Sequence, residues 1–147
     1  MTLNREDSFA LNDAASHGIM HYQNMADGTD DDGSRLRCKG RIEAIIRAAK
    51  KLQSRELQRG YENGLAERDG LTLTVMLNRD DSFHLYDAVS QATFDYQGIA
   101  NRTEDEETRM RCVGRLAAIE HANQKINQAE IPLIEKEYQK GGLDVAN

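Results

Sequence analysis

Arg35-Leu36-Arg37-Cys38-Lys39-Gly40-Arg41 returns as Arg109-Met110-Arg111-Cys112-Val113-Gly114-Arg115, and this recurrence decides how the chain is read. The offset between the two strings is 74 positions, and outward from them it holds without a gap. Tyr22-Gln23 falls on Tyr96-Gln97, Thr29 on Thr103, Asp7-Ser8-Phe9 on Asp81-Ser82-Phe83, and Leu3-Asn4-Arg5 on Leu77-Asn78-Arg79. The chain is a tandem duplication. Two copies are fewer than an open solenoid needs, so a pseudo-twofold pair of units packed face to face is expected.

Within each copy the apolar spacing is helical. At about 100° per residue, Leu11, Ala15, Gly18, Ile19, Tyr22, Met25 and Ala26 share one face, matched by Leu85, Val89, Ala92, Thr93, Tyr96, Ile99 and Ala100. Asn4 with Asp7, or the Asp7-Ser8 pair, supplies capping oxygens for this first helix, and the second copy repeats them. A second helix is expected after Thr29 and Thr103, each a hydroxyl cap followed by carboxylates at the positive end of the dipole. Its stripe is Cys38, Ile42, Ile45, Ala49 and Leu52, then Cys112, Leu116, Ile119, Asn123 and Ile126. The turn between the helices is short, so each repeat reads as an antiparallel hairpin.

After Leu52 the copies diverge. Pro132 suits the first turn of a short third helix, and Leu71 to Val75 has strand composition without an evident partner, so it reads as an extended linker. The expected fold is all-α: tandem helical hairpins forming a pseudo-twofold four-helix bundle with short extra helices. Repeat 1 covers 1–70, the linker 71–76 and repeat 2 77–147, and because such small halves bury little alone, the two are expected to make one compact domain.

Apolar residues make up 39% of the chain and charged ones 30%, which describes a water-facing protein with a modest aliphatic core. No apolar run approaches the ~20 residues of a spanning helix, and Met1 to Asp7 lacks a secretory pattern, so no membrane partner and a cytoplasmic location are expected. A net charge of −6 disfavours nucleic acid as a partner. Cys38 and Cys112 occupy equivalent places and read as buried reduced thiols.

Six arginines are the leading candidates for binding. Arg37 and Arg41 lie one turn apart beside the apolar face, Arg35 projects from the first turn toward the stripe, and Arg109, Arg111 and Arg115 repeat the set. A planar guanidinium at a half-buried seam requires an anion. That anion is either a structural carboxylate (Asp13, Asp87 or the acidic first turn) or the phosphate of a ligand. Tyr22 and Tyr96 carry hydroxyls in the stripe and pack in the core or touch the ligand. Asn123, where the first copy has Ala49, reads a ligand, pairs across the bundle or fixes register.

Phe9 and Met20, eleven residues apart, share the face opposite the main stripe, as do Phe83 and Phe94. The expectation is that the two hairpins join through this patch; the alternative is a homo-oligomer interface. His17 and His21 have a zinc-compatible spacing, but their counterparts are Gln91 and Asp95, and no metal site is expected. Asp27 to Gly33 lacks the distal Glu of a calcium loop. With no catalytic motif and no cofactor-binding pattern, the chain reads as a protein that is not an enzyme.

The second repeat, two helices joined by an acidic turn with the later one carrying Ala122-Asn123-Gln124-Lys125-Ile126, resembles the helical hairpin of phage anti-immunity sponges that sequester cyclic nucleotide signals. In that register the family's turn arginine falls on Glu106, with Arg109 a turn later, and the first repeat has Ala48-Ala49 in place of the Ala-Asn pair. The resemblance implies a non-catalytic, nucleotide-binding protein of a mobile element. The leading expectation is sequestration of a nucleotide-like anionic small molecule by the arginines. The alternatives are an acidic module that inhibits a host nuclease or defence protein, and a structural bundle that forms oligomers.

Overall fold

The computed structural model describes residues 2–52 and 72–146, with side chains at 2–52 and 75–128. Its elements are β1 (Thr2–Asn4), α1 (Arg5–Asp27), α2 (Asp32–Lys51), β2 (Thr72–Thr74), α3 (Arg79–Arg102) and α4 (Glu106–Ala146). The fold is an all-α four-helix bundle of two antiparallel hairpins, α1–α2 and α3–α4.

Local chemistry sets the helix starts. Asn4 Oδ1 accepts the Asp7 N–H at 2.8 Å while Asp7 Oδ2 accepts the Asn4 N–H at 3.1 Å, a reciprocal box that ties down two amides otherwise left without acceptors. Asn78 and Asp81 repeat it at 2.8 and 3.0 Å. The later helices start differently from the sequence expectation. Their caps are Asp31 and Asp105, which accept the N–H of Ser34 at 3.0 Å and of Thr108 at 3.2 Å. Thr29 and Thr103 instead receive the N–H of Asp31 and Asp105, both at 3.2 Å, and so shape the turn. A carboxylate at the cap adds charge on the helix dipole to the hydrogen bond, which a hydroxyl cannot.

Helices α1 and α3 run antiparallel through the middle of the molecule, as their contacts show: Asp13 meets Tyr96, His17 meets Asp95, and Tyr22 meets Asp87. Gly18 lets the pair approach, since a Cβ there would lie 2.9 Å from Ala88 Cβ and 3.0 Å from its Cα. Helices α2 and α4 each pack on both central helices. The main apolar cluster takes Leu3, Leu11 and Leu52 from one repeat and Leu85, Val89, Ile119 and Ile126 from the other, so the two halves share one core. Cys38 and Cys112 are buried free thiols, Cys112 within this cluster.

Three further expectations are corrected. The expected linker is not bare, because its residues 72–74 form β2, which pairs antiparallel with β1 (Thr2↔Thr74, Leu3↔Leu73, Asn4↔Thr72), and the adjacent Val75 is buried in the core. The partner strand was hidden in the first residues of the chain, which are too few to show a period. Helix α4 runs unbroken through Pro132, so no separate third helix starts there; proline's fixed φ is compatible with a helix even where its own ladder donor is missing. The corresponding stretch of the first copy lies outside the described residues. Finally, the hairpins do not join through Phe9, Met20, Phe83 and Phe94, which remain 62%, 64%, 54% and 73% exposed. They join through the small residues Ala14, Ala15, Gly18, Ala88 and Ala92, because small side chains allow the central helices to come close.

Candidate functional site

The repeated arginines divide into three kinds. Arg41 and Arg115 are used by the fold. Tyr22 donates its hydroxyl to Asp87 Oδ2 at 2.5 Å, and Arg41 Nη1 reaches the same oxygen at 3.3 Å and the Tyr22 hydroxyl at 3.4 Å. One repeat on, Tyr96 donates to Asp13 Oδ2 at 2.6 Å, with Arg115 Nη1 at 3.2 Å from both. Each guanidinium also lies over its tyrosine ring, at 5.6 and 5.8 Å from the centroid. In both triads the carboxylate comes from the other repeat, so the pair locks the halves together.

Burial first, then the hydrogen bond and negative charge of the carboxylate, push both tyrosines up to about 12. The Tyr96 hydroxyl, and after it Asp13, holds the Arg115 guanidinium above its already high value. These hydroxyls are thus kept protonated, the opposite of what a nucleophile or base requires. A second reciprocal pair of bridges runs from Lys51 to Asp81 and from Lys125 to Asp7, onto the buried carboxylates of the two capping boxes. Both members of each bridge recur at the 74-residue offset, and that recurrence is the signal by which the sequence shows them.

Arg37 and Arg111 are the second kind: exposed, with Arg37 Nη2 3.4 Å from Ser34 Oγ and Arg111 Nη2 3.9 Å from Glu107. Arg35 and Arg109 are the third, folded back onto the hairpin turns. Arg109 is held firmly, giving Nη2 to Thr103 O at 2.9 Å and Nη1 to Glu106 at 2.9 Å. Arg35 gives only Nε to Thr29 O at 3.0 Å; its terminal nitrogens stand 3.9 Å from Asp30 and 3.7 Å from Asp32. Ion pairs at that length between exposed groups contribute little and yield easily to another anion.

Arg35 also lines a cleft of about 690 Å³ between α1 and α2, with Gln23, Ala26 and Asp27 on one wall and Lys39, Ile42 and Glu43 on the other. Its volume falls in the range of small-molecule sites. Lys39 and Glu43 have no hydrogen-bonding or ion-pair partner among the described residues. Helix α2 presents Arg35, Lys39 and Glu43 at i, i+4 and i+8, which places them in one row over the half-buried Ala26 and Ile42. The counterparts of Lys39, Glu43 and Asp27 in the second copy are Val113, Ala117 and Asn101, so the charged cleft belongs to the first repeat alone. Reading the copies for what they share misses it, because these residues are among those that differ.

Asn123 sits away from this cleft on the α4 stripe, its Oδ1 buried without a hydrogen-bond partner among the described residues. Tyr22 and Tyr96 are committed to the triads. Among the described residues, no group of three or more His, Cys, Asp or Glu is placed to hold a metal ion; His17 Nδ1 instead meets Asp95 at 2.8 Å. No helix among them is long and apolar enough to cross a membrane. No family model, curated protein or solved structure matches the chain.

Proposed function

We propose that the chain is a non-enzymatic binding protein that sequesters a nucleotide-like anionic small molecule in the α1–α2 cleft of its first repeat. The observation that carries this reading is the pairing of Arg35 with Lys39 on one wall of that cleft, Lys39 without a partner among the described residues and Arg35 held by long ion pairs that a phosphate displaces at little cost. A guanidinium fork takes two phosphate oxygens, the ammonium a third, and the apolar floor of Ala26 and Ile42 takes the flat part of the ligand. The likeness of the second hairpin to phage sponges points the same way, to a cytoplasmic mobile-element protein. The site itself is expected in the other repeat, and it is built from two cations, Arg35 and Lys39, rather than six arginines.

The test is a thermal-unfolding screen of nucleoside phosphates at low salt. A ligand present at ~100 times its dissociation constant stabilises the folded chain by about 2.7 kcal/mol. The expected result is a raised midpoint that Arg35→Ala and Lys39→Ala each diminish, while Arg37→Ala leaves it in place. If no nucleoside phosphate moves the midpoint, the proposal fails.

A second reading, an acidic module that binds a host nuclease or defence protein or else a self-associating bundle, draws on the exposed apolar side chains. Phe9 and Phe83, Met20 and Phe94, and Leu36 and Met110 are equivalent pairs left in solvent in both copies. Sedimentation of the purified chain separates these possibilities, since a monomer at all concentrations removes the self-associating form.

A further inference from the structure

The cleft is not simply basic. Along α2 the order Arg35, Lys39, Glu43 runs from cation to carboxylate, with Glu43 about 6 Å beyond Lys39 and about 12 Å beyond Arg35 at the helical rise. Asp27 on α1 is partly satisfied, since Gln23 Nε2 donates to its Oδ1 at 3.0 Å; Glu43 has no such partner among the described residues. A carboxylate one turn from the anion-holding pair repels a bare phosphate, so on a site meant for phosphate alone it is counterproductive. It becomes favourable once the ligand brings its own N–H donors to that end, because hydrogen bonds to an ionised acceptor are the strong ones.

We infer that Glu43 is a specificity residue, and that the cleft takes ligands joining an anionic group to an N–H donor group, an amino-bearing base or an ammonium, in one molecule. This rests on the function proposed above and adds the polarity of the ligand to it. The second copy keeps Arg109, but that guanidinium is tied to Thr103 and Glu106, and Val113 and Ala117 stand in place of Lys39 and Glu43, so one such site per chain is expected.

The experiment is calorimetric titration of the full chain with four probes: inorganic phosphate, ribose 5-phosphate, guanosine 5′-monophosphate and phosphoethanolamine. The first two carry the anion without an N–H donor. Guanosine monophosphate adds an amino-bearing base, phosphoethanolamine an ammonium, and whichever is tighter identifies the source of the donor. The donor-bearing probe is expected to bind about tenfold more tightly than ribose 5-phosphate, the fold-change of one charge-assisted hydrogen bond. In Glu43→Gln that margin disappears while ribose 5-phosphate binds as well as before or better. Equal binding of all four probes, abolished by Arg35→Ala, overturns the role of Glu43 and leaves the anion site standing. Binding of none overturns both, and two equivalent sites per chain overturn the assignment to the first repeat. Glu43 is exposed, so the variant's unfolding midpoint should match that of the unaltered chain, which keeps a lost preference from being a folding defect.

Discussion

Gly18→Ala is the sharpest probe of how the two repeats meet. A methyl group there falls 2.9 Å from Ala88 Cβ, 3.0 Å from Ala88 Cα and 3.2 Å from Ile45 Cδ1. The Ile45 methyl can turn aside, but the Ala88 Cα belongs to the backbone of α3, so accommodation requires the central helices to separate. Overpacking of this kind costs about 1–3 kcal/mol. Against it stands the gain of replacing glycine by alanine inside a helix, about 1 kcal/mol. The net expectation is a loss of roughly 0–2 kcal/mol. Gly114, also inside a helix, meets nothing within 4 Å, so Gly114→Ala collects the same gain without the clash. The helix contribution therefore cancels between the two variants, and their difference in urea unfolding reads the contact itself, about 1–3 kcal/mol. Ala88→Gly added to Gly18→Ala should recover part of the loss, since it removes the nearest atom but not the Cα. Gly18→Ala as stabilising as Gly114→Ala would refute close approach of α1 and α3 at this point.

Three further outcomes are expected. Tyr22 and Tyr96 are held protonated up to about 12 against an unfolded value of 10.0, so their contribution to stability is complete below pH 10 and disappears as pH rises toward 12; an absorbance titration of tyrosinate should show two late-ionising groups that Tyr22→Phe with Tyr96→Phe removes. Asp87→Ala or Asp13→Ala leaves a tyrosine hydroxyl and a guanidinium without their shared acceptor and should cost about 1.5–3 kcal/mol in chemical unfolding, whereas Asp30→Ala, at an exposed site, should change stability by less than ~0.5 kcal/mol. Serine in place of Phe9, Met20, Phe83 and Phe94 together should leave the folded state cooperative and sedimentation unchanged or shifted to smaller species; loss of folding would show that these side chains are buried after all.

Much of the architecture was legible because the chain was written twice. The 74-residue offset establishes two equivalent units, the spacing of Leu11, Ala15, Gly18 and of Cys38, Ile45, Ala49 gives two helices in each, and the capping residues put the first start at Asn4 or a turn later at Ser8, of which the structure has Asn4. Periodicity reports which side of a helix leaves water. It does not report which helix receives it, and so the patch of Phe9 and Met20 looked like an inner face although it lies outside. The pairing of Thr2–Asn4 with Thr72–Thr74 was equally out of reach, since a three-residue strand carries no period and its partner is far along the chain.

What the residues determined by themselves depends on near neighbours: the helices, the short turns between them, the caps at Asn4 and Asn78 and the existence of a repeat, though not the caps at Asp31 and Asp105, which were expected at Thr29 and Thr103. Partnership belonged to the tertiary structure. It decided that Arg41 and Arg115 serve Asp87 and Asp13 of the opposite repeat, and that Arg35 faces a cleft with Lys39 and Glu43. Coulombic and hydrogen-bonding preferences are the same for every carboxylate in the chain; only distance selects among them, and distance across a bundle is set by how closely small residues such as Gly18 and Ala88 allow the helices to approach.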